Sequence, residues 1–380
     1  MGENRENLRR CDAIGGADIY AGEDIAGMLP AAVGQKVESC RILLIADKAT
    51  TAVAASVAES FAAAGYRVSV RGADEEFEPE EQCRFVLAAG AGKAAEKAKA
   101  AARTLGAECG VLLTAPTTER ILAGGGVSQV YLDGRLLDSC PRRCYAAGLG
   151  ILLSRPVTAF DDFFDRKLSG GAPPAFSSVE LPRELSGTEL ALGLLRAGAE
   201  TADRARPTPV EAVAGVLPYL AKRRGRQPRM RGEYMFVAAC ALRRLYSLYL
   251  SSPAIDALPP ADSERALTEL AALTGRSRAS LAEMFDFLGV SGYFRINYIV
   301  GEYRLDLIEK LSAIDLVSAE RRWRRTYEDA GWFLRGALTA RDMTDAMVLA
   351  GGVSGGLLHH MFSTGFLDAM TALPRQAAGT

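Results

Sequence analysis

A chain of 380 residues is too long for one ordinary hydrophobic core and suits two domains. Its 49% hydrophobic and 24% charged residues are those of a globular protein, and a formal net charge of -1 offers no global field to nucleic acid or an anionic membrane. No stretch approaches the roughly 20 uninterrupted apolar residues of a membrane span, and Met1–Gly16 holds no apolar signal core. The expectation is a cytoplasmic protein with neither nucleic-acid nor membrane partners, and with homo-oligomerisation left open.

The seven cysteines, Cys11, Cys40, Cys83, Cys109, Cys140, Cys144 and Cys240, are odd in number and scattered. Free structural thiols in a reducing compartment are expected. Cys140 and Cys144 stand four apart, but no second Cys/His pair lies near enough in sequence to complete a zinc site.

The first clear strand is Ile42–Ala46, an unbroken apolar run of the kind covered on both faces. Asp47 to Thr51 follows it, then an alanine-rich helix closed by Gly65, then an alternating strand over Tyr66–Val70. A second unit repeats the pattern: strand Phe85–Ala89, the turn Gly90-Ala91-Gly92-Lys93, helix Ala94–Leu105 and strand Cys109–Leu113, ending in Thr114-Ala115-Pro116-Thr117-Thr118. Strand–helix alternation predicts a mainly parallel sheet. A glycine turn between strand and helix lets backbone N–H groups approach a phosphate at the positive helix end, and Lys93 adds a cation there. The same turn also occurs merely because a tight connection needs glycine. Gly124-Gly125-Gly126 reads as a loop before the strand Val127–Leu132, and Asp133-Gly134 as a turn.

From about Ser186 the apolar spacing becomes helical over Leu190–Thr201, Val210–Ala221, Tyr234–Leu250, Ser263–Leu273, Arg278–Leu288 and Tyr298–Ile314. A Gly- and Pro-punctuated linker is expected over about Leu168–Ser186, and a frayed tail from Thr371. The division predicted is an α/β domain over 1–165 and a helical domain over 166–380, with a cleft between them. The basic run Lys222, Arg223, Arg224, Arg226, Arg229 and Arg231 reads either as a solvated interhelical loop or as a site for an anionic ligand at the cleft mouth.

In this order the motifs resemble the iron-containing alcohol dehydrogenase and dehydroquinate synthase superfamily, closest to glycerol and glycerol-1-phosphate dehydrogenases, over roughly residues 15–255. The resemblance rests on Ile19–Glu23, Asp47-Lys48-Ala49-Thr50, Gly90-Ala91-Gly92-Lys93, Thr114–Thr118, Val130–Asp133, Pro141–Arg143 and Ala147-Gly148-Leu149-Gly150. It implies an NAD or NADP cofactor, with Asp47 at the adenosine ribose, Gly90, Gly92 and Lys93 at the pyrophosphate, and Thr114 and Thr117 on the adenine side. Ala91 and Lys93 depart from the family's Gly and Ser.

The family's divalent metal is held by one Asp and two His. The matching positions here carry Ile151, Ala212 (or Val213, one residue on) and Arg231. None is a normal ligand: a hydrocarbon donates no lone pair and a guanidinium stays protonated. No metal is therefore expected, and Arg231 becomes the candidate to supply the lost positive charge, with Glu211 or Glu233 as a carboxylate partner. The chain's two histidines, His359 and His360, lie far beyond the ligand region and point about 100° apart if helical, which suits structural or surface roles better than joint chelation. The favoured reading is a nucleotide-binding relative without metal-dependent catalysis. Alternatives are a metal-independent NAD(P)-dependent oxidoreductase acting on a polyol or polyol phosphate, with Arg231, Lys93 or a tyrosine in the metal's place, and a dehydroquinate synthase-like non-redox enzyme.

Overall fold

The computed structural model describes residues 8–34, 41–78, 82–171, 184–201, 204, 206–252, 260–285, 288, 290–328, 338–364 and 366. Cys40, the tail from Thr371 and most of the expected linker lie outside them. The chain divides into two compact units, Met1–Leu152 with Pro182–Asp203, and Leu153–Leu181 with Arg204–Thr380.

The first unit is α/β. Its elements are β1 (Arg9–Ile14), β2 (Ala17–Gly22), α1 (Leu29–Gly34), β3 (Arg41–Ala46), α2 (Thr51–Ala63), β4 (Arg67–Gly72), β5 (Phe85–Ala89), α3 (Lys93–Leu105), β6 (Glu108–Leu113), β7 (Gln129–Asp133), α4 (Gly134–Asp138), the start of α5 (Arg142–Ser169), and α6 (Gly187–Thr201). One seven-stranded sheet has the order β1-β2-β7-β6-β5-β3-β4. The β1–β2 pair is antiparallel and every other pairing is parallel.

The apolar strands are unbroken because each feeds two cores. Leu43, Ile45, Val86 and Ala88 face one cluster with the alanines of α3. Ile42, Leu44, Phe85 and Leu87 face the other with Val57 and Phe61 of α2. Alternation with period two thus leaves no polar face on β3 or β5.

Two expectations change in this unit. Asp133-Gly134 opens a helix rather than a simple turn: the buried Asp133 carboxylate accepts the Leu136 N–H at 3.2 Å as the N-cap of α4, and the Ile25 N–H at 2.8 Å. The helix read as Leu190–Thr201 belongs to the α/β unit, because Ala191 and Leu195 enter the same core as β3 and β5. The division therefore falls at Leu152/Leu153 within α5, with Pro182–Asp203 returning to the first unit, where the sequence placed a single boundary at 165.

The second unit is helical: the end of α5, then α7 (Pro209–Arg223), α8 (Arg231–Ser251), α9 (Ser263–Thr274), α10 (Arg278–Met284), α11 (Val290–Ser312), α12 (Leu316–Glu328), α13 (Ala340–Gly351) and α14 (Gly356–Ser363). Its core is aromatic, with Trp323, Tyr234, Tyr246, Tyr249, Phe160, Phe164 and Phe236 fully buried. Thr208 and Glu211 form a reciprocal capping box at the start of α7. Together the units are a mostly parallel α/β region and a helical region. No helix among the described residues is long and apolar enough to cross a membrane.

Candidate functional site

The sheet order sets the site. From β3 the chain passes through α2 to β4 on one side, while from β5 it passes through α3 to β6 on the other. The connections diverge between β3 and β5, and the carboxyl ends of strands flanking such a switch point form the crevice where open α/β sheets bind ligands. Ala46 pairs with Ala89 at the strand ends, and Ala89 with Leu112. Three segments far apart in sequence therefore emerge side by side on one sheet edge: Asp47 after β3, Gly90-Ala91-Gly92 after β5, and Thr114–Thr118 after β6.

Hydrogen bonds fasten these segments. The Thr50 hydroxyl, at 2.7 Å from the Ala89 carbonyl and 3.0 Å from that of Asp47, ties the β3 turn to the end of β5. The Gly90 N–H donates to the Leu112 carbonyl at 2.9 Å. Gly90 has φ +130° and Gly92 has φ +62°, both in territory that side chains avoid. A Cβ on Gly90 would lie 2.9 Å from Asp47 Oδ2, so glycine here also makes room for that carboxylate.

Asp47 accepts the Ala94 N–H from the first turn of α3. Its pKa is raised, first by burial and then by the charge of Asp74; the Ala94 N–H and Lys93 act in the opposite direction. The carboxylate thus occupies the helix end toward which an incoming phosphate would be drawn. Lys93 opens α3, but its ammonium is held by Asp74 at 2.7 Å, both side chains being largely exposed. Asp74 was not singled out from sequence; its signal is the acidic run Asp74-Glu75-Glu76 directly after β4. Thr114 and Thr117 are half-buried on the loop after β6, and the Thr117 N–H closes a tight turn on the Ala115 carbonyl at 3.0 Å.

Ile151, Ala212 and Arg231, which the sequence resemblance set at the family's metal positions, lie on three different helices. Ile151 is buried hydrocarbon in α5, Ala212 lies on the buried face of α7, and Arg231 is the first residue of α8. Among the described residues no group of three or more His, Cys, Asp or Glu side chains is gathered as a metal-ion site. Glu211 and Glu233 each take part in the capping of their own helix. Glu211 accepts the Thr208 N–H at 3.0 Å and lies 3.8 Å from Arg204. Glu233, buried, accepts the Met230 N–H at 2.5 Å and lies 3.7 Å from Arg229.

Two arginines of the basic run are anchored, while Lys222 and Arg223 are exposed. Arg224 and Arg226 both pair with Asp342, which is fully buried, and Arg224 also pairs with Asp345. Asp342 caps α13 through the Thr339 N–H at 2.6 Å. These arginines lock the end of α7 to the start of α13.

Both histidines are buried on α14. His359 Nδ1 stands 2.7 Å from the Gly351 carbonyl, and His360 packs against the rings of Tyr249 and Tyr293. A surface role is thereby removed. None of the described cysteines forms a disulfide, and burial pushes the Cys109 and Cys240 thiols up to about 12 and Cys140 up to about 11, so these three stay protonated at neutral pH.

No known family profile and no curated protein matches the chain. Solved structures do match it in fold. Glycerol dehydrogenase from Schizosaccharomyces pombe is 13% identical, with a TM-score of 0.50 over 86% of this chain and 94% of that one. Sulfoacetaldehyde reductase from Bifidobacterium kashiwanohense, solved in complex with NAD+, is 14% identical, with a TM-score of 0.50 over 94% of this chain and 98% of that one. The likeness to these two structures is one of fold.

Proposed function

We propose that the α/β unit binds a nicotinamide adenine dinucleotide at the β3–β5 switch point, and that the chain is a polyol-oxidoreductase-like protein without metal-dependent catalysis. The observation that carries this is the convergence of Asp47, Gly90–Gly92 and Thr114–Thr117 on one sheet edge. In this reading the pyrophosphate meets the backbone N–H groups at the start of α3. Asp47 turns from Ala94 to the ribose hydroxyls, and Thr114 and Thr117 line the adenine side. Lys93 leaves Asp74 as the phosphate arrives, so its contribution is salt-dependent.

Ile151, Ala212 and Arg231 support the second half of the proposal. The family's metal polarises an alcohol oxygen as a Lewis acid, and a hydrocarbon, a methyl and a guanidinium offer no ligand set for it. Arg231 is the candidate to hold an anionic group there instead.

Thermal unfolding with NAD+, NADP+ and ADP-ribose at millimolar concentration tests the first half. A ligand at 100 times its Kd stabilises the folded state by about 2.7 kcal/mol. The expected result is a raised Tm with NAD+ or NADP+ and a smaller rise with ADP-ribose. An unchanged Tm with all three would remove nucleotide binding from the account.

A further inference from the structure

Helix α11 is apolar on two opposite faces. One face is core, with Tyr293, Val300 and Leu307 buried. The other meets solvent: Phe294 is 62% exposed, Tyr298 69% and Leu305 82%, and Gly301 is exposed between them. A helix that only covers a core carries polar and charged residues on its outer face. The core of the helical unit therefore gives no reason for this second stripe.

Phe294, Tyr298, Gly301 and Leu305 stand four, three and four residues apart. That is the alternation of a helix–helix seam, in which the contact residues recur every 3.5 positions on average. The stripe runs about 16 Å along the axis. Its three large side chains leave roughly 400 Å² of surface open, about the size of the largest apolar patch on a typical monomer and about half of what one partner gives to a standard interface. Arg304 donates to the Leu250 and Ser252 carbonyls at 2.6 Å each, which fastens α11 to the end of α8 and holds the stripe on a fixed helix.

The stripe is complementary to itself. Laid antiparallel about a twofold axis between Ile299 and Val300, α11 sets Phe294 against Leu305 of a second copy and Tyr298 against its Gly301. The tyrosine ring then lies over a residue with no side chain, so the axes can approach to the roughly 8–10 Å of packed helices. A parallel alignment would set Gly301 on Gly301 and leave a void, with two tyrosine rings competing for one layer.

Charge selects the same arrangement. Arg295 and Glu302, both exposed, flank the stripe on one side and stand seven residues apart, two turns along the helix. Antiparallel pairing brings this flank against its own copy in reverse order, so Arg295 of each chain meets Glu302 of the other. Arg295 gives an N–H to the Leu168 carbonyl at 2.9 Å, and a guanidinium has five such donors. Parallel pairing joins neither charge to its opposite.

We propose that two copies of this chain associate through α11, antiparallel about a twofold axis, with Tyr298 seated on Gly301 of the second copy and Arg295 paired with its Glu302. The contact belongs to the helical unit and is independent of the nucleotide reading.

The test is the native mass of the full chain by sedimentation equilibrium, over a series reaching about 100 µM so that micromolar association is registered. At the top of the series the wild type should have twice the mass of Tyr298→Glu and of Leu305→Glu. Each variant puts a carboxylate into the seam at an exposed position and should keep the wild-type circular dichroism. Glu302→Arg should weaken association about tenfold, and adding Arg295→Glu to it should restore association, which loss of fold would not allow. A wild type of single-chain mass throughout the series would overturn the proposal and leave the stripe to a different protein. Equal mass in the wild type and both glutamate variants would overturn it too, and a charge swap that restores nothing would overturn the antiparallel register.

Discussion

Gly148 in α5 is the position where the structure makes the sharpest demand. A Cβ there would sit 1.9 Å from the Pro116 carbonyl oxygen and 3.1 Å from its carbon, against 3.4 Å for ordinary contact. The obstruction is backbone on both sides, so α5 and the Thr114–Thr118 loop must separate by more than 1 Å. Overpacking of this kind costs about 1–3 kcal/mol. Replacing a helical glycine by alanine returns about 0.8–1 kcal/mol through chain entropy. The net expectation for Gly148→Ala is a loss of up to about 2 kcal/mol, or a Tm up to roughly 8 °C lower for a unit of this size. Because the same contact seats Thr114 and Thr117, nucleotide affinity should fall with it. Gly215 in α7 is the matched control: nothing lies within 4 Å of its added Cβ, so Gly215→Ala should gain up to about 1 kcal/mol. Urea unfolding of the two variants measures both signs. A Gly148→Ala variant as stabilised as Gly215→Ala would show that α5 does not touch Pro116 this closely.

The helical unit gives three further expectations. Burial raises the pKa of Asp161 well above the usual carboxylate value, against the opposing Tyr246 hydroxyl bond. Asp161→Asn, which keeps an acceptor for Tyr246 and Leu357, should cost less than Asp161→Ala, for which a loss of about 1–3 kcal/mol in urea unfolding is expected. Burial, with His359 adding to it, lowers the His360 pKa to about 3 from 6.5, so the folded state binds fewer protons than the unfolded one between those values. Its contribution to stability is complete above about pH 6.5 and is lost as pH falls toward 3, by up to about 1.4 kcal/mol per unit. His360→Phe should flatten that slope in unfolding curves taken from pH 4 to 7, and an unchanged slope would assign the acid sensitivity elsewhere. On the proposal that Ile151, Ala212 and Arg231 stand where the family holds its metal, added Zn²⁺ should leave Tm unchanged and elemental analysis of protein purified without added metal should find no stoichiometric zinc or iron; a one-to-one metal content would contradict that proposal.

The strands of the α/β unit were legible because burial on both faces writes an unbroken apolar run, as at Ile42–Ala46 and Phe85–Ala89. The glycine turn was legible because Gly90 and Gly92 adopt backbone angles that little else tolerates. Other features were hidden because they depend on partners distant in sequence. The antiparallel β1 carries Arg9, Arg10 and Asp12, exposed or half-buried, so no apolar pattern announces it. Most of α5 went unread, since Pro156 and the mixed run Asp161-Asp162-Phe163-Phe164-Asp165 blur a periodicity that becomes clear only when Tyr246 and the start of α14 supply donors. Asp342 neutralises Arg224 and Arg226 from more than a hundred residues away, a pairing that no local charge count reveals. That the Asp47 carboxylate meets the first turn of α3 likewise needed the β3–β5 register to be seen.

The account rests on nucleotide binding at the β3–β5 crevice, and fluorescence titration of NADH into wild type, Gly92→Ala and Gly92→Asp tests it most directly. Gly92 has φ +62° and ψ -117°, so both substitutions strain the turn, while only aspartate places a charge at the phosphate end of α3. Saturable binding to the wild type, weakening in the alanine variant and loss in the aspartate variant are predicted, with weaker wild-type binding at high salt. Equal NADH affinity in all three proteins, or none in the wild type, would contradict the central claim.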